Sequence, residues 1–282
     1  MLNIGFHLSV VGAFSAAAEE ARRMRYGCFQ IFATSSRSWK SKSMNSEDVE
    51  RFREINRLSH ARPFAHIPYI CNPSAPDKTT FDKGVGLMEE NIERCRKLGI
   101  EGVVVHMGSH KGKGIKYGIE RVSEALGTAL DAADGANILL ENGAGYKNSV
   151  GSRFEEIGDI MDAVSSKRVR LCMDTCHAFA AGYDMRNDRA VKALAGEIRE
   201  HVGISKLSLV HLNDSRYQLG SGLDRHWHIG KGEIGMDGFV ALFKNRDFSQ
   251  GNFVLETPYK GESDETMNLE AARRAIAIAK GG

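Results

Sequence analysis

The chain has 282 residues, 42% hydrophobic and 26% charged, enough apolar surface for a sizeable core and too ordinary a balance for a disordered or fibrous protein. Lysine and arginine number 38 against 36 acidic residues, so the formal net charge of +2 excludes a basic coat for nucleic acid; any polyanion must be met by a local patch. Cys28, Cys71, Cys95, Cys172 and Cys176 are odd in number and lack Cys-x-x-Cys spacing, which argues against a disulfide framework or zinc ribbon and predicts buried free thiols. From the N-terminus, the apolar stretch Phe6 to Ala18 has no Lys or Arg before it and is interrupted by His7, unlike a secretory signal. It reads as a strand, Leu2 to His7, and a helix, Ala13 to Met24. Strands follow at Cys28–Phe32 and Pro63–Ile67, with helices at Ser46–Leu58 and Thr80–Leu98. Gly102-Val-Val-Val-His106 is a buried strand with its helix at Ile119–Ala133. Asn137–Glu141 comes next, and its helix is expected to start near Ser152 with a capping box to Glu155. Val169–Asp174, Leu207–Leu212 and Asn252–Glu256 are the remaining strands, paired with helices at Asp188–Val202, Met236–Lys244 and Glu265–Ala279.

These strands are apolar on both faces, as strands covered by helices must be, and strict alternation with helices makes a parallel sheet. About eight such units at this length predict a closed α/β TIM (β/α)8 barrel. No linker, charge block or low-complexity segment interrupts it, so residues 1–282 are expected to form one catalytic domain. No run approaches the ~18 apolar residues of a membrane span. A cytoplasmic protein with no membrane partner is expected.

His7, His66, His106, Glu141, Asp174, His211 and Glu256 each close a predicted strand. In a TIM barrel those ends form the rim where active sites are built. One polar residue at a strand end is most simply a satisfied core edge, but this many in register need another cause. Two loop clusters join them: Asp174-Thr-Cys-His177, and Asp224-Arg-His226 with His228 close behind. Four carboxylates, Glu141, Asp174, Asp224 and Glu256, gathered with few fixed cations would repel one another. Bound metal ions remove that repulsion. Imidazoles mixed with carboxylates point to zinc, with manganese or iron as alternatives, since magnesium sites rarely use histidine. The candidate ligands outnumber the four positions of one zinc, so about two or three ions are expected. Adjacent ions suit phosphodiester hydrolysis; isomerisation of a sugar on a metal-loaded barrel is the competing reading, and fold alone does not choose. Gly230-Lys-Gly-Glu-Ile-Gly235 matches a dinucleotide fingerprint, but it follows a His-rich loop instead of a buried strand, so no nucleotide cofactor is expected.

The string Cys172-Met-Asp-Thr-Cys-His-Ala-Phe-Ala-Ala-Gly-Tyr-Asp184 resembles a signature of the endonuclease IV family of abasic-site endonucleases. So do His211-Leu-Asn-Asp214, Asp224-Arg-His226 and Gly230-x-Gly-x-Ile-Gly235. His106-x-Gly-Ser-His110, Glu141-Asn-x-Ala-Gly145, Leu255-Glu-Thr257 and Gly5-x-His-x-Ser9 agree, and together these pieces span almost the whole chain in the expected order. Met107 stands where the family commonly has proline, Gly143 where it has threonine, and Pro68 and Pro73 give the loop after His66 its own path.

The resemblance implies a trinuclear zinc site, with Mn2+ an alternative at one position. His66, His106 and Glu141 would hold the first ion. Glu141, as a bridging and catalytic carboxylate, would hold the second with Asp174, His211 and Glu256. His177, Asp224 and His226 would hold the third. The implied reaction is hydrolysis of the phosphodiester 5′ to an abasic site in double-stranded DNA, leaving a 3′-hydroxyl and a 5′-deoxyribose phosphate, with cleaning of blocked 3′ ends. It further implies that Arg37, in Ser36-Arg-Ser-Trp39, and Tyr69 with Ile70 contact the opened duplex, an arginine filling the void left by the base and an aromatic–aliphatic pair wedging the stack. The plainer reading makes Tyr69 and Ile70 core residues and Arg37 a solvated charge. Arg37, Lys40 and Lys42, then Lys111, Lys113 and Lys116, fall on candidate rim loops that would track phosphates. His7 is expected behind the ligands, and a monomer is the simplest form for an enzyme docking on duplex DNA.

Overall fold

A computed structural model describes residues 3–35, 39 and 43–281. Strands and helices alternate from the start: β1 (Asn3–Phe6), α1 (Phe14–Arg23), β2 (Cys28–Phe32), α2 (Ser46–Ser59), β3 (Arg62–His66), α3 (Lys78–Leu98), β4 (Gly102–His106) and α4 (Ile115–Ala132). The second half runs β5 (Asn137–Glu141), α5 (Phe154–Val164), β6 (Val169–Asp174), α6 (Thr175–Ala180), α7 (Asp188–His201), β7 (Leu207–His211), β8 (Asp214–Ser215), β9 (His226–Trp227), α8 (Gly235–Lys244), β10 (Asn252–Leu255) and α9 (Glu262–Ala279). The main sheet has eight parallel strands in the order β1-β10-β7-β6-β5-β4-β3-β2. β1 meets β2 through a parallel bridge between His7 and Gln30 and the hydrogen bond from Leu8 N to Gln30 O (2.7 Å), which brings the barrel round on itself. A Cβ on Gly5 would lie 1.9 Å from Cys28 O, so the two strands approach this closely only because residue 5 has no side chain.

Side chains alternate across a strand, and the core divides accordingly. Phe29, Ala65, Val103, Ile138, Leu171, Val210 and Phe253 belong to the large core beneath the helices. Their neighbours Cys28, Phe64, Val104, Leu139, Cys172, Leu209 and Val254 form a separate cluster, one residue from each of seven barrel strands, and fill the lumen. Two residues further along each strand, on the same inner side, lie Gln30, His66, His106, Glu141, Asp174, His211 and Glu256. The period of two thus delivers polar residues to one end of an apolar plug. All five cysteines are buried and free, as expected.

The predicted capping box at Ser152 and Glu155 does not form. α5 begins two residues later, with Arg153 at the N-cap and no side-chain cap. Glu156 instead accepts from Gly151 N (2.7 Å) and Ser152 N (3.1 Å), and Tyr183 Oη accepts from Phe154 N (3.2 Å). Two elements had no periodic signal in the sequence because they are too short for one: α6, which follows β6 without a loop, and the antiparallel ribbon β8–β9. No helix is long and apolar enough, among the described residues, to cross a membrane.

Candidate metal centre

Glu141, at the end of β5, occupies the centre of the polar end. Its Oε2 lies 3.1 Å from His66 Nε2 and 3.3 Å from His106 Nε2. Its Oε1 lies 3.0 Å from His211 Nδ1 and 3.3 Å from His177 Nδ1. One carboxylate therefore faces two groups with different oxygens. Asp174 continues the chain of contacts, its Oδ2 3.4 Å from His226 Nε2 and 3.9 Å from His211 Nδ1. Glu256 Oε2 approaches His211 Nδ1 at 3.3 Å. Asp224 Oδ1, in the loop before β9, lies 3.2 Å from His177 Nε2 and 3.5 Å from His226 Nε2.

Backbone carbonyls orient the imidazoles. His66 Nδ1 is 2.7 Å from Ile67 O, His177 Nδ1 is 3.0 Å from Asn142 O and His226 Nδ1 is 3.1 Å from Glu256 O. A carbonyl can only accept, so each Nδ1 carries a hydrogen, and in the neutral ring each Nε2 presents its lone pair to the cluster. Asp174 caps α6, taking the His177 amide on Oδ1 at 2.8 Å, which ties ligand candidates three residues apart into one rigid turn.

Burial pushes the His106 imidazole down to about 4, so it is neutral at physiological pH. Burial alone would raise Glu141, but His106, His211 and His177 hold it well below the usual carboxylate range. Asp224 is held down to about 2: its own burial opposes this and the hydrogen bond with His177 outweighs it. His177 and His211 are driven the other way. Burial would lower both, yet Asp174, Asp224 and Glu141 around His177, and Cys172, Glu256 and Glu141 around His211, raise them well above an ordinary imidazole. The cluster is an anionic pocket that draws positive charge.

Whether this donor set suits a metal can be judged from its orphaned atoms. Among the described residues, Nε2 of His106 and His226 are buried without a hydrogen bond, although a carboxylate oxygen lies within 3.5 Å of each. Lone pairs facing one another at that range need a cation between them. The ligand atoms of His66, His106 and Glu141 lie within 4.8 Å of one another, as do those of Glu141, Asp174, His211 and Glu256, and those of Asp174, His177 and His226. Asp224 groups by the same measure with His226 and Cys176. The Cys176 thiol, pushed up to about 12 mainly by burial, offers no thiolate at neutral pH. The residues fit divalent cations of the zinc type.

The remaining expectations divide. His7 lies behind the cluster, its Nδ1 3.1 Å from Glu256 Oε1. His228 turns away to Asn268 Nδ2 (3.1 Å). Tyr69 is 61% exposed and its ring stacks on His106 at 4.9 Å, so it is no core residue. Ile70 is half-buried and packs against the main core. Lys111, Lys113 and Lys116 are exposed. Arg37, Lys40 and Lys42 lie outside the described residues. The Gly230–Gly235 loop wraps a carboxylate: Gly232 N and Ile234 N donate to Asp214 at 2.9 and 3.0 Å, and a Cβ on Gly232 would lie 2.6 Å from Asp214 Oδ1. Met107, in place of the family's proline, fills the space over Gly151, where a Cβ would meet its Cε at 2.0 Å.

Three buried amides escaped the sequence reading. Asn213 donates to Asp174 Oδ2 (2.7 Å) and accepts from Glu256 N (2.9 Å). Asn142 brackets the backbone of Asp174, accepting from its N (2.8 Å) and donating to its O (3.2 Å). Gln30 touches His7, His211 and Glu256. A signal existed for each: an asparagine next to a ligand candidate, and a glutamine on the inner face of the otherwise apolar Cys28-Phe-Gln-Ile-Phe32.

A family model described as a xylose isomerase-like TIM barrel matches residues 18–280. The chain is 40% identical over 279 residues to "Probable endonuclease 4" of Methanoculleus marisnigri, covering 97% of this chain and 98% of that one. It is 37% identical over 276 residues to the protein of the same name from Nitrosopumilus maritimus, covering 96% and 99%. The crystal structure of endonuclease IV from Thermus thermophilus superposes with a TM-score of 0.88 at 34% identity, over 98% of this chain and 100% of that one. With a barrel closed by eight parallel strands, a His and carboxylate cluster at their C-terminal ends and relatives matched along nearly their whole length, this chain belongs to the endonuclease IV family of abasic-site endonucleases.

Proposed function

We propose that this chain, as a single catalytic domain over residues 1–282, hydrolyses the phosphodiester 5′ to an abasic site in double-stranded DNA. The products are a 3′-hydroxyl and a 5′-deoxyribose phosphate, and blocked 3′ ends are cleaned at the same centre. The observation that carries the reading is the double-facing Glu141: one of its oxygens lies beside His66 and His106 and the other beside His211, so this carboxylate would serve both the first and the second ion. We assign His66, His106 and Glu141 to one zinc ion, Glu141, Asp174, His211 and Glu256 to a second, and His177, Asp224 and His226 to a third, one position being open to Mn2+. Bound there, the ions supply activated water at neutral pH and positive charge for the phosphoryl oxygens.

The chain's own residues prepare that chemistry. Burial keeps His106 neutral, and the surrounding imidazoles keep Glu141 and Asp224 ionised, so these three ligands are in their binding forms near pH 7, while a bound cation would displace the proton from His177 and His211. The lumen plug from Cys28 to Val254 closes the site from below and excludes water on that side. A cavity of about 650 Å³ lined by His7, Phe32, Tyr69, His226, Glu256 and Tyr259 opens beside the cluster and is roomy enough for an extruded sugar phosphate. Tyr69 stands over His106 where an unstacked duplex would meet the rim, and we assign it, with Ile70 and Arg37, to the DNA. The protein acts in the cytoplasm as a monomer without a nucleotide cofactor.

The test is incision of a duplex carrying one abasic analogue, with metal analysis of the same sample. Cleavage 5′ to the analogue by metal-replete protein is expected, and Glu141→Gln should lower it by at least about 100-fold. Wild-type incision by Glu141→Gln would overturn the assignment of Glu141, and an uncut duplex would overturn the function.

A further inference from the structure

We infer that Gln30 is a positioning residue that decides which nitrogen His211 offers to a metal and which way Glu256 points. The inference rests on the ligand assignment above and goes beyond it, since Gln30 is not a ligand.

The geometry allows one assignment of hydrogens. Gln30 is wholly buried on β2, and its amide nitrogen lies 2.7 Å from Glu256 Oε1. An ionised carboxylate only accepts, so the atom facing it must be the NH2 group and the amide cannot be flipped. The amide oxygen therefore faces His211 Nε2, at 2.9 Å. An amide oxygen only accepts as well, so His211 Nε2 carries a hydrogen. In the neutral ring the lone pair is then on Nδ1. That is the atom 3.0 Å from Glu141 Oε1 and 3.3 Å from Glu256 Oε2. His7 Nδ1 lies 2.9 Å from the same amide nitrogen and 3.1 Å from Glu256 Oε1, so the amide, this imidazole and the carboxylate form one cluster behind the ligand candidates.

Gln30 thereby reverses the choice made elsewhere in the site. His66, His177 and His226 give Nδ1–H to a backbone carbonyl and present Nε2. His211 alone among these four has its Nε2 held, and by a side chain from the far side of the β1–β2 seam. One amide thus couples β2 to His211 on β7 and to Glu256 just beyond β10, the two ligand candidates that share the second group with Glu141 and Asp174. Partners of this kind that orient a ligand typically change metal affinity about 10- to 100-fold when lost.

Zinc-loaded protein labelled with 15N at its imidazoles tests this directly. His211 should be protonated at Nε2 and unprotonated at Nδ1. Gln30→Leu, which removes both functions, should weaken zinc binding about 10- to 100-fold by chelator competition and abolish the single tautomer of His211. Gln30→Glu keeps an acceptor for His211 and sets a second carboxyl against Glu256, with which it would share a proton, so the His211 tautomer should survive. A packing role alone would lower the melting temperature of both variants and leave the nitrogen pattern unmoved. The inference is overturned by His211 protonated at Nδ1 in the wild type, by loss of the tautomer in Gln30→Glu, or by a folded Gln30→Leu with wild-type zinc affinity. Should Gln30→Leu not fold, the wild-type and Gln30→Glu spectra decide. None of these readouts involves DNA, so a protein that fails to incise yet shows the expected pattern would refute the proposed function and leave this inference standing.

Discussion

At the scale of single residues, direction matters more than identity. Tyr69 and Ile70 are adjacent, yet one stacks on His106 and is mostly exposed while the other packs into the core. Their substitutions should separate accordingly. Tyr69→Ala is expected to raise KM for an abasic duplex about 10-fold, the scale of one lost base–aromatic contact, with bound metal and melting temperature unchanged. Ile70→Ala should instead lower stability by about 1–2 kcal/mol in denaturant unfolding, a partial version of a core truncation. A Tyr69→Ala protein that loses its metal would show that the ring serves the ligands it covers, and not the DNA.

Among the elements, short polar caps place the site and join the helices to one another. Asp174 is both the last residue of β6 and the N-cap of α6, so the strand end and the His177 turn cannot move separately. Asp48 does similar work outside the site. It sits in the first turn of α2, yet its carboxylate accepts from Phe14 N (2.8 Å) and Ser15 N (3.0 Å) at the start of α1, where Ala13 supplies no cap. Its burial would raise the carboxyl, and the hydrogen bonds from Ser15 and Phe14 outweigh that and hold it below its usual value of 3.8. Asp48→Ala should destabilise the protein by about 1 kcal/mol at neutral pH, the usual worth of a cap. Because the folded-state pKa is depressed, this contribution is complete above pH 4 and disappears as the pH falls through the folded value. The stability gap between wild type and Asp48→Ala, followed by urea unfolding, should therefore close on acidification; a gap constant from pH 7 to pH 3 would show that packing, not the carboxylate, is responsible.

For the whole molecule, the barrel gathers at one end a buried anionic cluster that no lysine or arginine pairs among the described residues. Metal bound there stabilises the folded chain by mass action, about 2.7 kcal/mol at a free concentration 100 times Kd. Chelation should lower Tm by about 5–10 °C, given about 2–4 °C per kcal/mol for a chain of this size or somewhat smaller. Calorimetry with and without a chelator measures it, and an unchanged Tm would mean that the cluster is stable without ions.

Periodicity along the chain was sufficient to determine the class of fold, because buried strands and amphipathic helices announce themselves within a window of a few residues. The strand-end residues were legible for the same reason: a polar residue closing an apolar run stands out, and the family motifs place them in order. The ring of contacts around Glu141, the tautomers of His177 and His226, and the three amides Gln30, Asn142 and Asn213 were not legible, because each depends on partners about 30 to 230 residues away. The capping box at Ser152 failed for a related reason: a distant hydroxyl, Tyr183, and a nearby carboxylate, Glu156, outcompeted the local pattern. Sequence by itself determined which side chains reach the mouth of the barrel, since that follows from a two-residue period. Only the tertiary structure decided which atoms of those side chains face one another, since that depends on how eight strands close and on which carbonyl or amide each ring meets across the seam.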